Sequence, residues 1–195
     1  MRYRKSYLLS YNIDWFCLID KKWIHCSSQG GMLPDFADDY RNMPQLQALL
    51  NIIPTYSEET DVVVNDTLIE QRFERHISIL RELSAEEQME IDIDREHQNF
   101  RRNYIESFVE MAQKGFHSYA RVNIDDITDN STVLVAKPTE EASLSLYRDI
   151  SSIVESVNRL EFVESRRSLQ HYIEGIIMPD SELVFDTDLT SLFNT

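Results

Sequence analysis

Ile13-Asp14-Trp15-Phe16-Cys17-Leu18-Ile19-Asp20-Lys21-Lys22-Trp23-Ile24-His25-Cys26-Ser27-Ser28-Gln29-Gly30-Gly31 decides the fold class of this chain. Both tryptophans, both cysteines and two of the four glycines fall within it. Two short apolar runs meet at Asp20-Lys21-Lys22, the pattern of two antiparallel strands and a tight turn. One strand face carries Trp15, Cys17, Ile19, Ile24 and Cys26; the other carries Phe16, Leu18, Trp23 and His25. Both faces are apolar, so the hairpin is expected to be covered on both sides, at the centre of a sheet. If Lys21-Lys22 form the turn, Cys17 faces Cys26; if Asp20-Lys21 form it, Cys26 faces Trp15. In either register the two thiols share a face and read as reduced core side chains, too few for a disulfide framework or a zinc site.

Outward from the hairpin, Tyr3 to Ser10 alternates well enough to predict a third strand and an N-terminal antiparallel meander. Beyond Gly30-Gly31 a short helix is expected over Gln45–Ile53, stopped by Pro54. Ile69, Phe73, Ile77, Leu80 and Leu83 recur at spacings of three and four, predicting a helix over 66–83 capped by Asp66 or Thr67. Ser84 is the expected cap of a second helix, over 85–114. Its stripe is Ile93, His97, Phe100, Tyr104, Phe108 and Met111, and Gly115 supplies its stop. Together these form a helical hairpin over 66–114. Strands over 118–124 and 132–137 flank an acidic turn, giving a β-hairpin over 118–137. Pro138-Thr139-Glu140-Glu141 reads as a helix start, with C-terminal helices over 139–178 and a last strand over 183–185. The whole is one α+β domain spanning 1–195: sheet-forming residues 1–31, the helical hairpin, the later β-hairpin and the C-terminal helices.

Composition bounds the function. The chain is 42% hydrophobic with 10% aromatics, which is enough for a packed core. No apolar run approaches the roughly 20 residues of a membrane span, and no signal peptide is readable, so the expected location is cytoplasmic. Nineteen basic residues against thirty-four acidic ones give −15. Residues 1–35 are locally +2, so residues 36–195 carry −17. Such a body repels nucleic acid and anionic membranes, and favours a protein partner with a basic surface. Glu86, Glu87, Glu90, Asp92, Asp94 and Glu96 form its densest acidic run and are the expected partner-binding residues.

The best ligand-site candidate is the small-residue loop Ser27-Ser28-Gln29-Gly30-Gly31 with His25 beside it, whose amides and hydroxyls suit an anion. It lacks the spacing and the lysine of a P-loop. His25 and Cys26 point to opposite strand faces, so a nucleophilic Cys26 would need His76, His97, His117 or His171 instead. Asp94-Arg95-Glu96-His97 offers one Asp-x-x-His without the second copy that a di-metal bundle requires. The turn Asp125–Asn130 lacks the glycine and the bidentate glutamate of a calcium loop. No catalytic set, metal or cofactor is therefore expected. Three functions remain open: an acidic, non-catalytic interaction protein of inhibitor, immunity or adaptor type; a ligand-binding module or small enzyme at the Ser27–Gly31 loop; and a subunit of a larger assembly.

Overall fold

The computed structural model describes residues 2–19, 22–34, 37–39, 60–87, 91–127 and 130–139. In chain order these form α1 (Lys5–Ser10), β1 (Asp14–Ile19), β2 (Lys22–Ser27), β3 (Val62–Val64), α2 (Asp66–Glu87), α3 (Ile93–Gln113), β4 (Phe116–Arg121) and β5 (Thr132–Pro138). The fold is α+β: among the described residues, three helices and one five-stranded mixed sheet in the order β1-β2-β4-β5-β3.

β1 and β2 pair antiparallel with Trp15 opposite Cys26 and Ile19 opposite Lys22, so Asp20-Lys21 form the connection and the thiols lie diagonally on one face. Trp15, Phe16, Cys17 and the run Trp23–Ser27 are all buried, so both faces of the hairpin are covered. Its place in the sheet differs from expectation. Among the described strands β4 is central and β1 lies at one end of the order, because β2 pairs in parallel with β4, Trp23 opposite Phe116 and Cys26 opposite Tyr119. β4 and β5 are antiparallel, with an irregularity at Ser118/Tyr119, and β3 adds antiparallel to β5. β3 was too short to stand out in the sequence.

The expected first strand is instead a helix. Tyr3, Tyr7 and Tyr11 are four apart and stack in a ladder, with centroids 5.4 and 4.3 Å apart, while the Ser10 hydroxyl donates to the Ser6 carbonyl at 2.9 Å. A spacing of four outweighs the weaker alternation of period two. The backbone N–H of Tyr3 donates to Asp38 Oδ1 at 3.0 Å, tying the N-terminus to the 37–39 segment.

α2 and α3 run antiparallel. Asp66 pairs with Arg101, Glu70 with His97 and His76 with Glu96, while Phe73 meets His97 edge-on. α2 is capped by Asn65, whose Oδ1 accepts from the Leu68 N–H at 3.1 Å, one residue earlier than expected. Asn65 also donates through Nδ2 to the Leu134 carbonyl, so the cap is bonded to β5 as well. Ser84 does not begin a helix: α2 continues through it to Glu87, and Asp92 caps α3 by accepting from the Arg95 N–H. α3 ends where expected, with Gly115 at φ 90°. Leu68, Phe108 and Ala112 pack on Ala120, Val135 and Ala136, seating the base of the helical hairpin on the sheet. Beyond Ile77 in α2 and before Phe108 in α3, no described side chain is buried.

Pro138 is the last residue of β5 rather than a helix start, and the Thr139 N–H donates to the Asp61 carbonyl. β4 begins at Phe116 and ends at Arg121, shorter at its far end than expected, because the Val122 N–H donates to Ser131 as the turn begins. The expected helix over 45–53, the C-terminal helices from residue 140 onward and the strand over 183–185 lie outside the described residues. No helix among the described residues is long and apolar enough to cross a membrane.

Candidate functional site

β2 and β4 run in parallel and end side by side, so the loops that follow them emerge together at one end of the sheet. The first is the Ser27–Gly31 loop. Asn12 braces it: its side-chain carbonyl accepts from the Ser27 hydroxyl at 2.7 Å and from the Gln29 N–H at 2.8 Å. Ser28 bonds Ile13 twice, its N–H donating to the Ile13 carbonyl and its hydroxyl accepting the Ile13 N–H at 2.8 Å. The Gly31 N–H then closes a four-residue turn onto the Ser28 carbonyl at 2.8 Å. Gln29 at φ 44° and Gly30 at φ 78° give this turn two successive left-handed residues, the requirement of a type I′ turn. A side chain at Gly30 would also meet the Leu9 carbonyl of α1 at 3.4 Å. Both serine hydroxyls and the amides of Ser28, Gln29 and Gly31 are thus engaged inside the protein, while Gln29 Oε1 is enclosed with no hydrogen bond among the described residues.

Gly31 serves a separate purpose. The side chain of Arg121, at the end of β4, lies against it so closely that an added Cβ would fall 2.4–2.5 Å from Cδ, Nε and Cζ. Arg121 is buried and donates through Nη2 to the Asp126 carbonyl. Arg72 of α2 donates to the carbonyls of Arg121 and Val122, and Arg75 pairs with Asp125. The acidic turn after β4 is therefore held to α2 by arginines.

His25 lies one residue inside the first loop and is fully buried between the rings of Phe16 and Phe108, at 5.3 and 6.0 Å. Its Nδ1 is 3.2 Å from the Ser118 hydroxyl, and its Nε2 is 3.5 Å from Asp14 Oδ1. Ser118 donating to Nδ1 places the ring proton on Nε2, which faces the Asp14 carboxylate but is enclosed without a hydrogen bond among the described residues. Carboxylate, imidazole and hydroxyl in sequence are the components of a proton relay. Ser118, however, has 0% of its surface exposed, in the central strand, where no substrate carbonyl can approach its oxygen. In this geometry the array orders a core polar site. Asp14 was readable in the hairpin, being two residues before Phe16 and so on the face of His25. Ser118 was not, because its strand arrives by a parallel pairing some ninety residues away in the chain.

The thiols are closed as well. Burial pushes both Cys17 and Cys26 far above the ordinary thiol range, and for Cys26 the neighbouring Cys17 and Asp14 add to the rise. Burial both favours the protonated thiol and closes the sulfur off from a reactant. His76 and His97 lie in the helical hairpin, bonded to Glu96 at 2.7 Å and to Glu70 at 3.0 Å, and not beside Cys26. No group of side chains able to hold a metal ion occurs among the described residues.

Of the six acidic residues expected to meet a partner, Asp92 caps α3, Glu96 bonds His76, and Asp94 is exposed. Glu86 and Glu87 form the last turn of α2, and Glu90 lies in the connection outside the described residues. From Glu82 to Glu96 the chain holds seven carboxylates and one base, Arg95. The rest of the described surface is far more balanced: the described residues together hold seventeen acids and thirteen bases. No family model, curated protein or solved structure matches the chain.

Proposed function

We propose that this is a non-catalytic cytoplasmic interaction protein that engages a basic surface on a protein partner through the tip of its α2–α3 hairpin. The observation that carries the reading is the coincidence of two properties at one place. The hairpin beyond Ile77 and before Phe108 buries no described side chain, and its tip concentrates carboxylates that the chain does not balance. Ile79 and Ile93 stand 48% and 37% exposed near that tip, giving it an apolar element beside the charge. Carboxylates on neighbouring turns repel one another, and a lysine- or arginine-bearing surface relieves that repulsion. The Ser27–Gly31 loop supports a ligand-binding reading less well, because Asn12, Ile13 and Ser28 already satisfy its hydroxyls and three of its amides.

The test is affinity purification from the native cell at low salt, with the wild-type chain and with Glu86→Gln/Glu87→Gln/Glu90→Gln as baits. At roughly 0.2–1 kcal/mol for each ion pair with the partner, the triple change weakens retention of a genuine partner by about 3- to 150-fold. Retention that is indifferent to both the substitutions and the salt contradicts the reading.

A further inference from the structure

The outer face of α3, turned away from the ladder of Phe100, Tyr104 and Phe108, borders an open groove of about 660 Å³. Charge changes sign along it: Arg101 and Arg102 lie toward the N-terminal end, Glu106 and Glu110 toward the C-terminal end, with Ile105 and Val109 between and beside them. We propose that α3 of a second copy of this chain fills the groove, running antiparallel about a two-fold axis near the middle of the face. The proposal is independent of the acidic-tip reading, since it uses the middle of α3 and not the α2–α3 connection.

The first support is charge that the chain leaves unspent. Arg101 is held by Asp66, but Arg102, Glu106 and Glu110 are exposed and make no ion pair among the described residues. Glu110 stands in the last turn of α3, at the negative end of the helix dipole, and that turn holds no base to offset it. The second support is the order of these charges. At about 3.6 residues per turn, Arg102, Glu106 and Glu110 fall toward one side of a face centred near Ile105 and Val109. A two-fold axis across the helices sets that side against the same side of the second copy, with its order reversed. When Ile105 is level with Val109 of the second copy, Arg102 comes about 3 Å along the axis from Glu110 of that copy, and the contact occurs twice. Glu106 then nears its own counterpart at the axis, with Arg102 one turn earlier on each helix to offset it. A parallel pairing would set Arg102 level with Arg102 and Glu110 level with Glu110, so the charges select one direction. The third support is apolar: Ile105 and Val109 are only half-buried, and the antiparallel pairing covers both. A face one helix wide and about 24 Å long buries less than the roughly 1,200 Å² of a tight complex, so a weak dimer in the micromolar range is expected.

Sedimentation velocity of the full-length chain over about 1–300 µM tests the proposal. The wild type should pass from monomer toward dimer across that range. Arg102→Glu and Glu110→Arg each turn two attractive pairs into two repulsive ones, so each should raise the dimer Kd at least about fourfold. Arg102→Glu and Glu110→Arg in the same chain exchange the two charges and should return the Kd to within about twofold of wild type, a rescue that misfolding would not give. A wild type that stays monomeric up to about 300 µM overturns the proposal and leaves the groove to another part of the chain or to a different partner. A dimer that neither single change weakens, or that the exchanged pair does not restore, overturns it too.

Discussion

Replacing Gly31 with alanine tests the contact that joins the first loop to the central strand. Gly31 is not in the left-handed region, so alanine meets no backbone penalty there and gains about 0.4–1 kcal/mol from a less flexible unfolded chain. Against that gain stands a steric conflict. The new Cβ would lie 2.4–2.5 Å from three atoms of the Arg121 side chain, well inside contact distance. An arginine end at the surface would swing away at little cost. Arg121 is 3% exposed and bonded to the Asp126 carbonyl, so moving it gives up a charged hydrogen bond worth about 1.5–3 kcal/mol and disturbs its packing. The net expectation is a loss of about 2–4 kcal/mol, read in urea unfolding as a lower midpoint with an unchanged slope. At about 2–4 °C per kcal/mol for a chain of this size, Tm falls by about 4–16 °C. The decisive arm is a double-mutant cycle: in an Arg121→Met background, Gly31→Ala should cost under about 1 kcal/mol. Equal cost in both backgrounds, or a neutral Gly31→Ala in the wild type, refutes the reasoning.

Three further outcomes follow from the same geometry. Ser118→Ala strands His25 Nδ1 in the core and should destabilise by about 1–2 kcal/mol in urea unfolding, with no pocket gained. Asn65→Ala removes the α2 cap and the bond to Leu134 together, so a loss of about 1–2 kcal/mol is expected; Asp66→Ala, replacing an exposed residue, should cost less by the same assay. Cys17 and Cys26 should resist a thiol reagent in the native state even at mildly alkaline pH and react together on unfolding. The sign is fixed by burial: a thiol pushed upward stays protonated as pH passes its ordinary value, and native labelling at the rate of a free thiol would contradict it.

The parts of the fold that were legible are those written in local pattern. The β1–β2 hairpin declared itself through two apolar runs, and its two candidate registers both kept the thiols on one face, as found. The helical hairpin declared itself through its stripes, and Gly115 through its left-handed stop. The Tyr3–Ser10 stretch misled because alternation and a spacing of four coexist in it, and the tyrosine ladder decides for the helix. Asn65 was hidden behind Asp66 and Thr67, equally good caps in sequence; only its second bond, to Leu134, distinguishes it. The parallel pairing of β2 with β4 was illegible because no local signal records it, and it alone creates the His25–Ser118 contact and the Gly31–Arg121 approach. The bracing of the Ser27–Gly31 loop by Asn12 depends on how that residue folds back across the turn, which composition does not encode.

The partner-facing reading rests on position as much as on charge, and one comparison separates the two. Retention of native-cell proteins is measured for the wild-type bait, for Glu86→Gln/Glu87→Gln/Glu90→Gln, and for Glu161→Gln/Glu164→Gln/Glu174→Gln, which removes the same charge elsewhere in the chain. The account predicts that the hairpin-tip variant loses a salt-sensitive partner that the other two baits keep. Equal loss from both variants, or loss from neither, would contradict it.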